Sequence, residues 1–117
     1  MTSEKTAETY VVVVTCFVIS GEDKNYRRVL IIKRPDDEPE GPGLWTIPGG
    51  KIEPDDWKKV KNSAISYEGA FKSACRRELL EETGLVSDEF KLLSGLERMF
   101  FRQSGVPTLV LAFRTSR

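Results

Sequence analysis

Apolar residues in this chain gather into short dense runs, set apart by polar stretches rich in proline and glycine. The densest run, YVVVVTCFVIS from Tyr10 to Ser20, is β-branched and aromatic, and predicts a buried strand. GEDKN then reads as a polar turn, and RRVLIIKRP as a second strand ending near Pro35, so the two form a hairpin. DDEPEGPG is a loop by its acids, prolines and glycines. LWTIPGGKIEP gives a short apolar segment, a turn at Pro48-Gly49-Gly50 and a further short strand. DDWKKVKNSAIS has no clear period and reads as a surface excursion. From about Tyr67 to Thr83 the pattern turns helical, and Gly84 stands where a helix would stop. KLLSGLERMFFRQ and VPTLVLAFRTS predict two last strands, joined around Ser104 and Gly105. The sum is an α/β domain, a mixed sheet with one principal helix, spanning residues 9–117 after a flexible lead-in at 1–8.

Composition narrows the function. A chain of 117 residues is one domain at most. Eighteen basic residues balance eighteen acidic ones, so no net field points to nucleic acid or to an anionic membrane. No apolar run reaches the ~20 residues of a bilayer span, and MTSEKTAET lacks the apolar centre of a secretory signal. A cytoplasmic protein is expected. Histidine is absent, which leaves proton transfer to carboxylates, Lys, Tyr, Cys or water and makes any metal site mainly an oxygen site. Cys16 and Cys75 lack the spacing of a zinc or redox motif and are expected in the core.

One stretch resists a purely structural reading. RRELLEETG, Arg76 to Gly84, sets Glu78, Glu81 and Glu82 within five residues. On a helical wheel Phe71, Ala74, Cys75 and Leu79 mark the face that packs on a sheet, and Glu78 and Glu82 fall about 20° to either side of Phe71. Leu80 points away. Arg77 and Glu81 lie toward one flank at i,i+4, where they can pair. A solvated acidic face belongs opposite the apolar stripe, whereas Glu78 and Glu82 continue it, and like charges turned inward need a cation or a hydrogen-bond network. Carboxylates four residues apart can share a hard divalent ion such as Mg²⁺. Spacing alone leaves two readings open, this metal site and an ordinary pair of acids near a helix end. In the same way Gly49-Gly50 reads either as a simple turn or as a place where backbone must come close to something.

PGGKIE followed by RRELLEETGL resembles the Nudix box of the Nudix hydrolases, G-x5-E-x7-R-E-U-x-E-E-x-G-U with U a bulky aliphatic residue. Gly50 matches the opening glycine, and Arg77, Glu78, Leu79, Glu81, Glu82, Gly84 and Leu85 match the second half without a gap. The resemblance runs from about Tyr10 to Arg114. Gly50 and Arg77 are 27 residues apart where the pattern has 14, so thirteen extra residues fall within the box. They are assigned to a surface insertion at about 54–66. Counted back from Arg77, the early glutamate of the pattern aligns with Gly69, and neighbouring Glu68 is carried over as a supporting contact.

The resemblance implies a Nudix-like mixed sheet with the box helix packed on it, ending before the family's usual last strand and helix. It implies a pyrophosphohydrolase that uses Mg²⁺, or Mn²⁺, to cleave a phosphoanhydride bond of a nucleoside diphosphate linked to another group. Glu78 and Glu82 are the expected principal metal ligands, joined by the Gly50 carbonyl and by Glu81. Glu81 is also the expected general base or water orienter, with Arg77 fixing its rotamer. Lys33 and Arg34 are candidates to meet substrate phosphates, and Glu97 for an additional acid against a plain strand-surface role. The alternative is a Nudix-fold nucleotide-binding or sensing module with little hydrolysis, and a third reading is an interaction domain whose acidic helix is only surface. The expected partner is a small nucleotide, with no membrane and no nucleic acid. A sheet edge or face left open by an early stop would let two copies pair.

Overall fold

The computed structural model describes residues 9–21, 27–39, 41–58, 68–102 and 105–116. Two long parallel strands form its spine, β1 (Val11–Ser20) and β8 (Pro107–Ser116), in register from Val11 against Thr108 to Ile19 against Ser116. Each carries short antiparallel strands on its outer side. β1 pairs with β2 (Arg28–Val29) at one end and with β5 (Gly49–Lys51) nearer its start. β8 pairs with β6 (Lys91–Leu92) and with β7 (Arg98–Phe101). A separate ribbon is made of β3 (Ile32–Lys33) and β4 (Trp45–Thr46). The helices are α1 (Pro54–Lys58) and α2 (Glu68–Thr83).

Strand alternation decides which residues meet α2. Val14, Cys16 and Val18 of β1 turn to one face and are buried with Phe113 of β8, Phe90, and Ala74, Cys75 and Leu79 of α2. Phe71 joins them from the edge, its ring tilted against Phe113 at a centroid distance of 6.1 Å. The wheel drawn from sequence therefore describes the packed face of α2, and Leu80 points to solvent. Cys16 and Cys75 are free thiols in this core. A hydrogen bond from Cys16, then burial, hold the Cys75 thiol far above its usual range. α2 ends at Gly84, whose φ of 77° lies in the left-handed region and whose N–H donates to Leu80 O at 2.9 Å.

Three expectations change. The run at 27–35 is two strands in different sheets: Leu30 N–H still donates to Val18 O, but β3 leaves to pair with β4. The run at 91–103 is likewise split, because a turn at Gly95 with φ of 88° separates β6 from β7. The polar segment after Glu53 does not begin as a loop. Pro54 starts a helix, as its fixed φ favours at that position, and Asp56 is one of the most buried residues of the protein. Residues 59–67, the rest of the expected insertion, and the lead-in at 1–8 lie outside the described residues.

Candidate active site

Arg77 organises one end of α2. Its Nη2 donates to Asp56 Oδ2 at 2.9 Å and to the Lys51 carbonyl at 3.0 Å, and its Nη1 donates to Glu78 Oε1 at 2.7 Å. Glu53 stands at 3.5 Å and Glu81 at 3.8 Å. The expected Arg77–Glu81 pair is thus the longest of its contacts, because Asp56 and Glu78 hold the guanidinium at closer range and in drier surroundings. Burial alone would pull the Arg77 pKa down, but its hydrogen bonds to Asp56 and Glu78 and their charges raise it, so it stays charged.

Asp56 is not among the site residues expected from the sequence, yet it is the best-bonded acid beside Arg77. Its Oδ2 also accepts from Glu53 N–H at 2.8 Å, the reciprocal half of a capping box, and its Oδ1 accepts from Ser73 Oγ at 3.0 Å. Burial pushes this carboxyl up, yet the bonds from Arg77, Glu53 and Ser73 outweigh that and hold it below its ordinary value. The signal was present. Counted forward from Gly50, the pattern G-x5-E lands on position 56, where this chain has aspartate. Counted back from Arg77, across the insertion, it lands on Gly69. The extra residues therefore follow Asp56, and the supporting contact assigned to Glu68 belongs to Asp56; the Glu68 side chain lies outside the described residues.

Glu78 and Glu82 both face the glycine turn. The Glu78 carboxylate lies so close to Gly50 that a Cβ there would have to displace it. Glu82 Oε2 accepts from Gly49 N–H at 3.0 Å. Burial raises the Glu78 pKa despite the bond and charge of Arg77. Burial of its inner side also pushes Glu82 up to about 7, against the lowering effect of Gly49 N–H and with the help of the Glu78 charge. Glu82 keeps access to solvent, so whatever relieves this repulsion can reach it. The Glu81 side chain is 60% exposed, against 13% for Glu78.

Strand register decides which glycine carbonyl is available. Cys16 N–H donates to Pro48 O and Ile52 N–H to Val12 O, which flank the Val14–Gly50 pair. That makes Val14 and Gly50 the pair that exchanges both ladder bonds, so the Gly50 carbonyl faces β1. The ladder makes no use of the Gly49 carbonyl. Of the two glycine carbonyls, that of Gly49 is the one the ladder leaves available.

A cavity of about 590 Å³ opens beside this turn, on the sheet face away from the α2 core, with Gly49, Gly50 and Glu82 in its wall. Lys33 and Arg34 line it as well. Arg34 is braced: its N–H donates to Leu44 O at 2.8 Å, and its guanidinium meets Glu38 at 3.3 Å. Glu97 lies apart on the surface, where its Oε2 accepts from Gly95 N–H at 2.9 Å and holds a turn.

No three carboxylates or thiolates converge as a ready ligand set among the described residues. The donors fit a hard cation nonetheless. They are all oxygen, and Glu78 and Glu82 repel each other with their charged forms disfavoured, a condition that a divalent ion reverses. No helix among the described residues is long and apolar enough to cross a membrane.

Comparison with curated protein sequences returns no match. Among solved structures, the chain resembles a MutT protein from Methanosarcina mazei, with TM-score 0.69 and 19% identity over 97% of this chain and 68% of that one. The NUDIX domain of Shewanella oneidensis NrtR, solved in complex with ADP ribose, matches with TM-score 0.64 and 17% identity over 95% of this chain and 62% of that one. A NUDIX hydrolase from Alicyclobacillus acidocaldarius matches with TM-score 0.70 and 14% identity over 96% of this chain and 72% of that one. The chain thus spans between three fifths and three quarters of the length of these structures, and the likeness is one of fold. The NUDIX domain model matches residues 9–114, nearly the whole chain, and the protein belongs to the NUDIX domain family.

Proposed function

We propose that the protein is a pyrophosphohydrolase acting on a nucleoside diphosphate linked to another moiety. One observation carries this reading: Glu78 and Glu82 both stand against a glycine turn, and Glu82 and that turn form part of the wall of a cavity lined by basic residues. Glu78, Glu82 and the Gly49 carbonyl would hold Mg²⁺, or Mn²⁺ in its place, with Glu81 within reach as a further carboxylate. When bound, the ion would neutralise the diphosphate and acidify water.

The chain's own residues supply the rest. Arg77, anchored on Asp56, holds Glu78 in one rotamer through the 2.7 Å bond. Lys33 and Arg34 bind and orient phosphate oxygens from the opposite wall. Glu81, with its open side chain, accepts the proton of the water that attacks phosphorus. The anhydride P–O bond breaks, its electron pair leaves with the departing phosphate, and the proton passes from Glu81 to solvent. Two free, buried cysteines accord with a reducing, cytoplasmic setting. A binding module would use the same cavity, but it would have no need of Glu78, Glu81 and Glu82 together.

The test is phosphate or nucleotide release from dNTPs, ADP-ribose, dinucleoside polyphosphates and NADH, with and without Mg²⁺, beside Glu82→Gln. Turnover that requires both the ion and Glu82 is expected. A folded protein that releases nothing from any of them would refute the hydrolase reading.

A further inference from the structure

The far wall of the cavity carries charge that a diphosphate does not need. Register places Lys51 opposite Val13, Val13 opposite Val110, and Val110 opposite Arg98, so these four form one row across the sheet on the cavity face. With strands about 4.8 Å apart, the row spans roughly 14 Å, a cation at each end and two valines between. Arg102 follows on the same side of β7's path, with its Nε donating to the buried hydroxyl of Thr108 at 3.1 Å. Lys33 and Arg34 face these from the β3 side. On the floor, Thr15 is 7% exposed and its Oγ1 has no hydrogen-bond partner among the described residues. A buried hydroxyl without a partner costs free energy unless something that enters the cavity bonds to it.

Charge decides what that is. Among the described residues the lining sets Lys33, Arg34, Lys51, Arg98 and Arg102 against the two carboxylates of Glu38 and Glu82, a net excess of positive charge that needs no metal ion. A diphosphate bridging two groups brings about two negative charges. A nucleoside triphosphate or a dinucleoside tetraphosphate brings about four, because phosphate ionises fully near neutral pH. Cations held apart without matching anions repel one another, so a wall built this way selects the longer phosphate chain.

From this we propose that the protein's substrates are nucleoside polyphosphates with about four negative charges, and that Arg98 and Arg102 on β7 are the residues that select them. Lys51 and the Thr15 hydroxyl complete the phosphate track. This rests on the hydrolase reading only for the word substrate; the binding preference stands without it.

The experiment is calorimetric titration of metal-free protein, kept in EDTA, with inorganic tripolyphosphate and with pyrophosphate, for wild type, Arg98→Gln and Arg102→Gln. Wild type should prefer tripolyphosphate by tenfold or more, and each variant should cut that preference to threefold or less, with melting temperature unchanged for Arg98→Gln. Equal affinity of wild type for both anions would overturn the proposal, as would variants that keep the full preference. Arg98 is solvent-exposed. Its replacement therefore leaves the fold intact, so a failure there cannot be laid to unfolding. In turnover, ATP and dinucleoside tetraphosphate should exceed ADP-ribose, and Arg98→Gln should raise KM for the first two alone. Loss of turnover with the binding preference intact would defeat the hydrolase reading and leave this one standing.

Discussion

Replacing Asp56 by alanine removes a carboxylate whose side chain is only 3% exposed and which accepts from Arg77, Ser73 and Glu53 N–H. Breaking a buried pair by deleting one partner costs about 3–5 kcal/mol, since the other charge is left uncompensated. Arg77 would keep Glu78 and the Lys51 carbonyl, and its side chain is 22% exposed, so the lower end applies, about 3 kcal/mol. For a domain of this size that corresponds to a fall in Tm of roughly 12 °C. Asp56→Asn keeps the shape and loses the charge, and should cost about half as much. The native pKa of Asp56 is lowered, so its contribution is complete above the unfolded value, about 4, and is lost as pH falls through the native one. The gap in Tm between wild type and Asp56→Ala should therefore be widest near neutrality and narrow below about pH 4. Urea and thermal unfolding of the two proteins, with Arg77→Ala and the double variant to close a cycle, measure the coupling. A Tm for Asp56→Ala within about 2 °C of wild type at neutral pH would refute the claim that this pair ties α1 to α2.

Three further outcomes follow from the same geometry. Gly50→Ala puts a Cβ on the Glu78 carboxylate, so Mg²⁺-dependent turnover should fall tenfold or more with a stability loss of about 1–3 kcal/mol; full activity would mean that Glu78 need not sit there. Glu82 has a raised native pKa of about 7, so in EDTA the protein should lose stability relative to Glu82→Gln as pH rises from about 4.5 to 7, by an amount that solvent screening keeps small. Mg²⁺ should remove that difference, and parallel Tm–pH curves without the ion would count against an uncompensated pair. Gly84→Ala meets no neighbour but must adopt a φ of 77°, so it should cost about 1 kcal/mol in unfolding with turnover untouched.

What could be read from the sequence were the features that local periodicity decides. β1, α2 and β8 stand within a residue or so of their expected places, because each is long enough for its apolar face to fix its type. The inward Glu78 followed from the wheel, since a 16-residue helix with Ala74, Cys75 and Leu79 in the core leaves Glu78 only one direction. What the sequence hid was non-local. The parallel pairing of β1 with β8 joins the two ends of the chain, and nothing in either strand names its partner. Leu30 and Ile31 look like the middle of one strand, yet they are the crossing between two sheets. The cavity row from Lys51 to Arg98 exists only once three registers are known.

Asp56 was hidden for a different reason, and it explains why the insertion is tolerated. The pattern separates its early acid from its arginine by eight residues, whereas here the same contact closes over 21. Lengthening a closed loop costs only about (3/2)RT times the logarithm of the length ratio, close to 1 kcal/mol for this change. Leaving Arg77 without Asp56, which is buried and joined by Ser73 and the Glu53 N–H, would cost about three times that. The pair therefore closes across the added residues and returns Arg77 to Glu78 and Lys51 as if nothing had been inserted. The spacing of the motif is broken here, yet Asp56 and Arg77 still meet. Shortening the segment by deleting 59–66 should for the same reason leave Mg²⁺-dependent turnover within a few-fold of wild type. A collapse of activity in a folded deletion variant would mean that those residues take part in the site.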